Sequence, residues 1–309
     1  MKSLARPRAL RPGDRVAVLC VSGPAEPEPL ATGLDMLRFA GLDPVIYPSA
    51  SEPGSFRSYL AGADKTRADD LAAALTDPGI AGVFFAKGGY GAQRTLEVLD
   101  WDALADPRPK VLAGFSDVTA VLEAVAVRLG WASLFAPMVA APGSEAHYSF
   151  GSLLRTLLRP AEATELHYPD AVTVTGGLAR GVTMGGTLTL LASSLRTPTS
   201  WPARGGILLL EDVEEEPYKL DRMLTQLRRS GYLDGVAGII TGTFTDCGPR
   251  DEVQAVLTER LGDLGVPMVA WANVGHGGKF QTYPIGLAAE LDADEAVLRL
   301  LDPPLRPPA

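Results

Sequence analysis

The sequence predicts an α/β protein whose N-terminal half is built on a parallel, doubly wound sheet. Short apolar segments typical of buried strands recur at Arg15–Cys20, Val45–Tyr47 and Gly82–Ala86, with helical apolar spacing between them. Strands that alternate with helices at this pace favour a parallel arrangement. A further strand with a bend at Pro137 is predicted over Trp131–Val139.

The intervening helices are indicated by apolar spacing and by the residues that end them. Leu30, Leu34 and Leu37 lie on one helical face, and Gly41 follows as a natural C-terminal cap. Further helices are predicted over about Asp64–Leu75, Ala92–Leu99 and Ser149–Leu158.

The pattern changes after residues 159–163, beyond which strand-like segments and glycines dominate. We therefore predict an N-terminal α/β domain over residues 1–160 and a second domain over residues 165–309. The Pro-rich segment Pro303–Pro308 is predicted to be a frayed end.

Composition excludes several classes of function. The chain of 309 residues has a net charge of −9 and no Lys/Arg cluster that could follow a phosphate backbone, which argues against nucleic acid as a partner. Only Cys20 and Cys247 are present, so no disulfide framework is predicted. The first eight residues lack the apolar stretch of a signal peptide, and no apolar run approaches the roughly 18 residues of a membrane span. These features predict a cytoplasmic protein without membrane contact.

A strand-to-helix turn around Ser116 is the first candidate for chemistry. The apolar run Lys110–Gly114 precedes it, and residues from Val118 onward recur at helical spacing. Such a turn places the serine hydroxyl beside the first unpaired amides of the helix, where it could act as a nucleophile next to an oxyanion site. The alternative is that Ser116 only caps the helix.

A glycine-rich turn, Lys87–Gly91, follows the strand before it. Three glycines in four positions let backbone amides approach a ligand closely, although the spacing matches neither a dinucleotide fingerprint nor a P-loop. A tight turn without a ligand is the alternative. Because ligands in such sheets bind at the carboxyl ends of strands, this turn and Ser116 could face one crevice.

Two residues in the second half could complete a site. Glu211 ends the apolar segment Gly206–Leu210, where a buried carboxylate needs a partner. His276 lies among three glycines, which place its ring in a loop and not in a core, whereas His147 and His167 lie in polar segments and are interpreted as surface residues. Histidines this scattered, without a cysteine pair or H-E-x-x-H motif, predict no metal, and nothing predicts another cofactor.

The motifs together resemble the LD-carboxypeptidase family of serine peptidases, which hydrolyse the L,D-peptide bond before the terminal D-alanine of cell-wall tetrapeptides. The resemblance covers nearly the whole chain. Two positions depart from the family pattern: Lys87 replaces the common Arg, and Thr187 replaces the usual Asn after Gly-Gly. The motifs that carry the resemblance are Tyr59–Gly62, Lys87–Gly91, Gly114–Asp117, Gly185–Leu188, Leu210–Asp212, Tyr218–Leu224, Gly275–Gly277 and Tyr283–Gly286.

The resemblance implies a catalytic triad of Ser116, His276 and Glu211. In it the serine attacks, the histidine accepts its proton, and the glutamate orients the imidazole. The implied oxyanion amides are those of Asp117 and of Gly88 or Gly89. The order Ser, Glu, His also fits an α/β-hydrolase, but that fold expects glycine where Val118 stands.

The resemblance also implies architecture and partners. It predicts an N-terminal domain like that of class I glutamine amidotransferases, a smaller, swivelling C-terminal β/α domain, a homodimer, and a small muropeptide substrate in peptidoglycan recycling. One alternative is a microcin C immunity-type peptidase that cleaves an aminoacyl-nucleotide amide, in which Trp201 could stack on the base or else serve as an apolar wedge. The other alternative is a non-catalytic ligand-binding protein.

A carboxypeptidase must also bind the terminal carboxylate of its substrate. A chain with a net charge of −9 repels that group unless local cations compensate. Lys87 and Arg94 are the basic residues closest in sequence to the glycine turn and are therefore candidate contacts, although Arg94 could equally be an ordinary surface residue.

Overall fold

A computed structural model of the chain describes residues 2–51, 57–104, 108–140 and 146–307, with the backbone alone for residues 146 and 147. The predicted surface position of the His147 side chain lies outside the described part. The helices are α1 (Pro27–Phe39), α2 (Pro48–Ser51), α3 (Asp64–Thr76), α4 (Ala92–Val98), α5 (Thr119–Arg128), α6 (Ala146–Leu158), α7 (Leu188–Ser193), α8 (Pro217–Arg229) and α9 (Arg250–Leu261).

Five strands from the first half of the chain and one from the second half form a six-stranded sheet in the order β12-β5-β4-β3-β1-β2. Neighbours among β1 to β5 are parallel, and only β12 is antiparallel. The strands are β1 (Arg15–Leu19), β2 (Asp43–Ile46), β3 (Ile80–Phe85), β4 (Val111–Gly114), β5 (Ser133–Phe135) and β12 (Tyr283–Ile285).

Alternate residues of this sheet bury their side chains on opposite faces. Ala17 and Leu19 of β1 belong to the same apolar cluster as α3 and α5, whereas Val16 and Val18 belong to the cluster that contains α1 and α6. A strand buried on both faces needs apolar residues throughout, which explains its continuous apolar sequence. The predicted parallel, doubly wound sheet is confirmed.

The second half forms an eight-stranded mixed sheet in the order β6-β14-β13-β8-β9-β10-β11-β7. Helices α7, α8 and α9 cover one face, while Ile207 and Leu209 on the other face join the apolar cluster of the first half. The strands are β6 (Glu165–His167), β7 (Val172–Thr175), β8 (Leu178–Thr187), β9 (Gly206–Val213), β10 (Gly238–Thr245), β11 (Met268–Ala270), β13 (Ala288–Asp292) and β14 (Val297–Leu300).

The two halves form a two-domain arrangement with shared contacts. The β12 strand from the second half completes the edge of the first sheet. The hydroxyl of Tyr283 in that strand donates a hydrogen bond of 3.0 Å to the backbone oxygen of Ile207 in the second sheet. Buried contacts between the two sheets therefore fix the relative positions of residues that a shared site would draw from both.

Two predictions about local structure need correction. The strand predicted over Trp131–Val139 is only three residues long, because Pro137 bends the chain out of the sheet direction. Over its described residues, 303–307, the Pro-rich segment is not frayed: Leu305 is buried, and the backbone amide of Arg306 donates to the oxygen of Pro7 at 2.8 Å. Apolar burial and pairing with the first residues offset the entropy of ordering this segment. Pro308 lies outside the described residues.

Both cysteines are buried and free. Within the described ranges, no helix combines the length and the apolar character that crossing a bilayer requires.

Candidate active site

Ser116 lies at the carboxyl end of β4, in a 3-10 turn that leads into α5. Its φ of 58° is left-handed, which is uncommon for a residue with a side chain and costs on the order of 1–3 kcal/mol. Gly88 lies so close that a Cβ there would be 2.9 Å from the Ser116 Cβ, so the glycine turn and the serine are neighbours at the ends of β3 and β4.

His276 approaches the serine from the second half of the chain. Its Nε2 lies 3.0 Å from the Ser116 Oγ, and its ring packs against Phe115 with a centroid distance of 4.7 Å. The preceding Gly275 has a φ of 110°, a conformation that favours glycine. The loop glycines thus place the imidazole, as the sequence indicates.

Glu211 is fully buried in β9 and meets the histidine from the other side. Its Oε2 lies 2.7 Å from the His276 Nδ1 and accepts the His276 backbone amide at 3.1 Å. Gly275 makes this approach possible, because a Cβ there would lie 2.3 Å from the same oxygen. The partner that the buried carboxylate needs is therefore His276.

The three predicted side chains form a continuous hydrogen-bonded series across the two sheets. A carboxylate on Nδ1 holds the tautomer whose Nε2 can accept the serine proton, and it stabilises the imidazolium that forms. The arrangement can therefore activate a serine hydroxyl for attack on a carbonyl. Among the described residues, no three His, Cys, Asp or Glu side chains are grouped closely enough to hold a metal ion.

The electrostatic environment of His276 favours the imidazolium. Burial alone lowers the pKa of His276, but the carboxylate of Glu211, followed by those of Asp212 and Glu214, more than compensates and raises the pKa above the ordinary 6.5. Burial also raises the pKa of two other carboxyl groups, that of Asp212 to about 6 and that of Glu123 to about 7.

We expect kcat/KM to fall as the pH decreases through a value above 6.5, because His276 accepts a proton only when it is neutral. The measurement is kcat/KM between pH 5 and 9. Glu123→Gln serves as the control and should keep this acid limb, because Glu123 does not contribute to the raised pKa of His276. A rate that is constant from pH 5 to 8, with chemistry limiting, would contradict a histidine base.

Among the residues with predicted oxyanion amides, Asp117 follows Ser116 in the chain and Gly88 lies beside it, but Asp117 also has a role that the sequence did not indicate. Its buried carboxylate accepts hydrogen bonds from the Ser22 hydroxyl at 2.6 Å and from the Ala92 amide at 2.7 Å. It therefore links the ends of β1 and β4 to the start of α4. Desolvation raises the pKa of Asp117, although these hydrogen bonds favour its charged form. The oxyanion roles of the Asp117, Gly88 and Gly89 amides stay predictions.

The candidate substrate contacts differ in how firmly they are held. The guanidinium of Arg94 forms two hydrogen bonds, of 3.0 and 2.5 Å, with the carboxylate of Asp64, which also binds the buried Arg67. The Lys87 ammonium lies 3.8 Å from an exposed Glu26 carboxylate. Lys87 is therefore freer than Arg94 to turn toward a ligand.

Trp201 lies partly buried against two apolar clusters, and its backbone amide donates to Glu123 at 2.7 Å. This position fits the apolar wedge better than a stacking surface. His167 is exposed. The sequence singles out Thr187 as a departure from the family pattern but does not indicate that its hydroxyl contacts Glu211, although the Gly-Gly before it is the sign of a close approach.

Comparison with known proteins identifies the class of this molecule. Residues 16–136 match the LD-carboxypeptidase N-terminal domain, and residues 180–291 match the LD-carboxypeptidase C-terminal domain. These matches make the protein a hydrolase of the serine peptidase class. The chain belongs to the LD-carboxypeptidase family and is an enzyme with carboxypeptidase activity.

Relatives cover all or nearly all of the chain. A provisionally named carboxypeptidase of Streptomyces coelicolor is 47% identical over 100% of both chains. The murein tetrapeptide carboxypeptidase of Pseudomonas aeruginosa is 32% identical, covering 91% of this chain and 94% of that protein.

Solved structures share the fold. The muramoyltetrapeptide carboxypeptidase of Oxalobacter formigenes has a TM-score of 0.79 at 26% identity, covering 95% of this chain and 100% of that one. The microcin C7 self-immunity protein MccF has a TM-score of 0.87 at 22% identity, covering 97% and 99%. The mixed α/β, two-domain fold is therefore shared with both of these proteins.

Proposed function

We propose that this enzyme hydrolyses the L,D-peptide bond before the terminal D-alanine of cell-wall tetrapeptides through a triad of Ser116, His276 and Glu211. The observation that carries the proposal is the pair of contacts of His276, 3.0 Å to the serine oxygen and 2.7 Å to the glutamate oxygen. The relatives named for murein peptides support the substrate class.

In the proposed mechanism, the Ser116 oxygen attacks the scissile carbonyl while its proton moves to the His276 Nε2. The oxyanion that forms is stabilised by the amides of Asp117 and of Gly88 or Gly89. The imidazolium then gives its proton to the leaving amine of D-alanine, and an acyl-enzyme remains. Water hydrolyses this ester in the same way, with His276 again accepting a proton.

An aminoacyl-nucleotide amide is the second candidate substrate, because MccF structures with sulfamoyl nucleosides share the fold. A non-catalytic ligand-binding role is set aside, since the chain is an enzyme of a peptidase family. From the family resemblance we further infer a homodimer that acts on small muropeptides in peptidoglycan recycling in the cytoplasm. Light scattering on the purified protein tests the oligomeric state.

The decisive assay compares three substrates on the wild type: a tetrapeptide ending in D-alanine, the same peptide with an amidated end, and an aminoacyl-nucleotide amide. We expect the free acid to be preferred about tenfold to a hundredfold over the amidated peptide, the size of a charge-assisted contact. Equal cleavage of the acid and the amide, or preference for the nucleotide, would contradict the carboxypeptidase proposal.

The same assay on variants locates the carboxylate contact. Lys87→Ala should raise KM for the free acid and change little for the amidated peptide. Arg94→Ala should have a smaller selective effect, because its guanidinium is held by Asp64. Equal losses on both substrates in both variants would show that neither residue binds the carboxylate.

A further inference from the structure

The carboxylate of Glu211 has a second partner besides the histidine. Its Oε1 accepts a hydrogen bond of 2.5 Å from the hydroxyl of Thr187, while its Oε2 faces the ring and the backbone amide of His276. The carboxylate is fully buried, so each of these bonds forms in a weakly polar surrounding. Because both oxygens of Glu211 accept hydrogen bonds, the orientation of the carboxylate plane is fixed.

The Thr187 hydroxyl is itself held by Thr119 of helix α5, in the first half of the chain. The hydroxyl of Thr119 donates to the Thr187 Oγ1 at 3.3 Å and accepts the Thr187 backbone amide at 3.2 Å. Since each hydroxyl has one proton, the donation runs from Thr119 to Thr187 and from Thr187 to Glu211. A series of hydrogen bonds therefore runs from Ser116 through His276, Glu211 and Thr187 to Thr119. Thr119 is the first residue of α5, the helix that follows Ser116.

Gly186 lets strand β8 come close enough to helix α5 for these hydrogen bonds. Gly186 has a φ of 145°, and a Cβ on it would lie 2.8 Å from the Thr119 side chain. Thr187 and Thr119 are both buried, with 3% and 1% of their surface exposed. Neither hydroxyl is placed to meet a substrate, so any influence on catalysis acts through Glu211.

We propose that Thr187 is a positioning residue for the triad, whose hydroxyl orients the Glu211 carboxylate and, through Thr119, couples it to the helix that follows Ser116. This inference rests on the proposed serine mechanism. It assigns a role to one of the two positions at which the chain departs from the family pattern, where Thr replaces Asn.

The test compares Thr187→Val, which removes the hydroxyl at similar size, with Thr187→Ser, which retains it. Thr183→Val is the matched control, because Thr183 is buried in the same strand and its hydroxyl bonds only to the backbone of Leu287 among the described residues. The first readout is the rate at which a fluorophosphonate probe labels Ser116, which needs no peptide substrate. The second is an NMR titration of His276, resolved among only three histidines in the sequence.

We expect Thr187→Val to slow labelling about tenfold to a hundredfold, the loss typical of a hydrogen bond to a charged group. We also expect a higher pKa for His276, because a carboxylate with one donor fewer attracts the imidazolium more strongly, with Asp212 and Glu214 unchanged. Thr187→Ser should restore both values, and Thr183→Val should alter neither. A merely structural role would lower thermal stability without moving the titration.

Thr119→Val extends the test and replaces it if Thr187→Val does not fold. It should slow labelling by a smaller factor, and combining it with Thr187→Val should add little, because both act on one carboxylate. Wild-type protein that is not labelled at Ser116 would refute the proposed function. Normal wild-type labelling, together with normal rates and His276 titrations in the folded threonine variants, would overturn the inference about Thr187.

Discussion

Replacing Ser116 by alanine is expected to lower kcat by a factor on the order of 10⁴ to 10⁶, because members of a triad act as one unit. The hydroxyl is the atom that forms the acyl-enzyme, and neither the imidazole nor the oxyanion amides can replace it. The folded state should persist, since the substitution removes one oxygen from a turn residue. The measurements are single-turnover rates on the tetrapeptide and thermal unfolding.

Ser193→Ala is the matched control for this prediction. Ser193 lies exposed on α7, where its hydroxyl accepts a hydrogen bond from Gln93 at 2.9 Å. This variant should keep wild-type turnover. A Ser116→Ala enzyme that works within tenfold of the wild type would end the assignment of the nucleophile.

Glu211→Gln is expected to lower kcat by about 10⁴, because an amide can donate to the Nδ1 of His276 and so favour the unproductive tautomer. The acid limb of the pH profile should also move to lower pH. The carboxylate that raises the pKa of His276 is then gone, while the burial that lowers it remains. Both effects are measured as kcat and kcat/KM against pH.

Glu290→Gln controls for the loss of a glutamate charge elsewhere in the second sheet. Its carboxylate pairs with Arg180 at 2.7 Å near the surface. The Glu290→Gln variant should keep the turnover of the wild type. A Glu211→Gln variant that retains a tenth or more of the wild-type kcat would exclude an essential orienting role for Glu211.

Much of the first sheet could be predicted, because each of its strands and helices is determined by residues that are close together in the sequence. The apolar run before Gly114 and the helical spacing after Val118 are both visible in the chain, and both elements form as predicted. The strand over Trp131–Val139 was predicted too long, since apolar character alone does not show where a proline bend leaves the sheet.

The three triad candidates were also visible as local anomalies: a serine at a strand-to-helix turn, an acid in an apolar strand and a histidine among glycines. Their contact was not visible, because Ser116 and His276 are 160 residues apart and Glu211 and His276 are 65 apart. The family resemblance supplied that grouping. In the folded protein, the order of the strands in the two sheets brings these three residues together, and that order depends on the packing of the whole chain.

What the sequence by itself determined is therefore the class of the elements and the chemical types at their ends, because periodicity and turn chemistry act over a few residues. Only the tertiary structure decided which partner each polar side chain takes. Arg94 pairs with Asp64, and Thr187 donates to Glu211. Leu305 packs into the apolar cluster that contains α1 and α6. These choices depend on distances between strands and helices that are remote in the chain, and no local pattern encodes such distances.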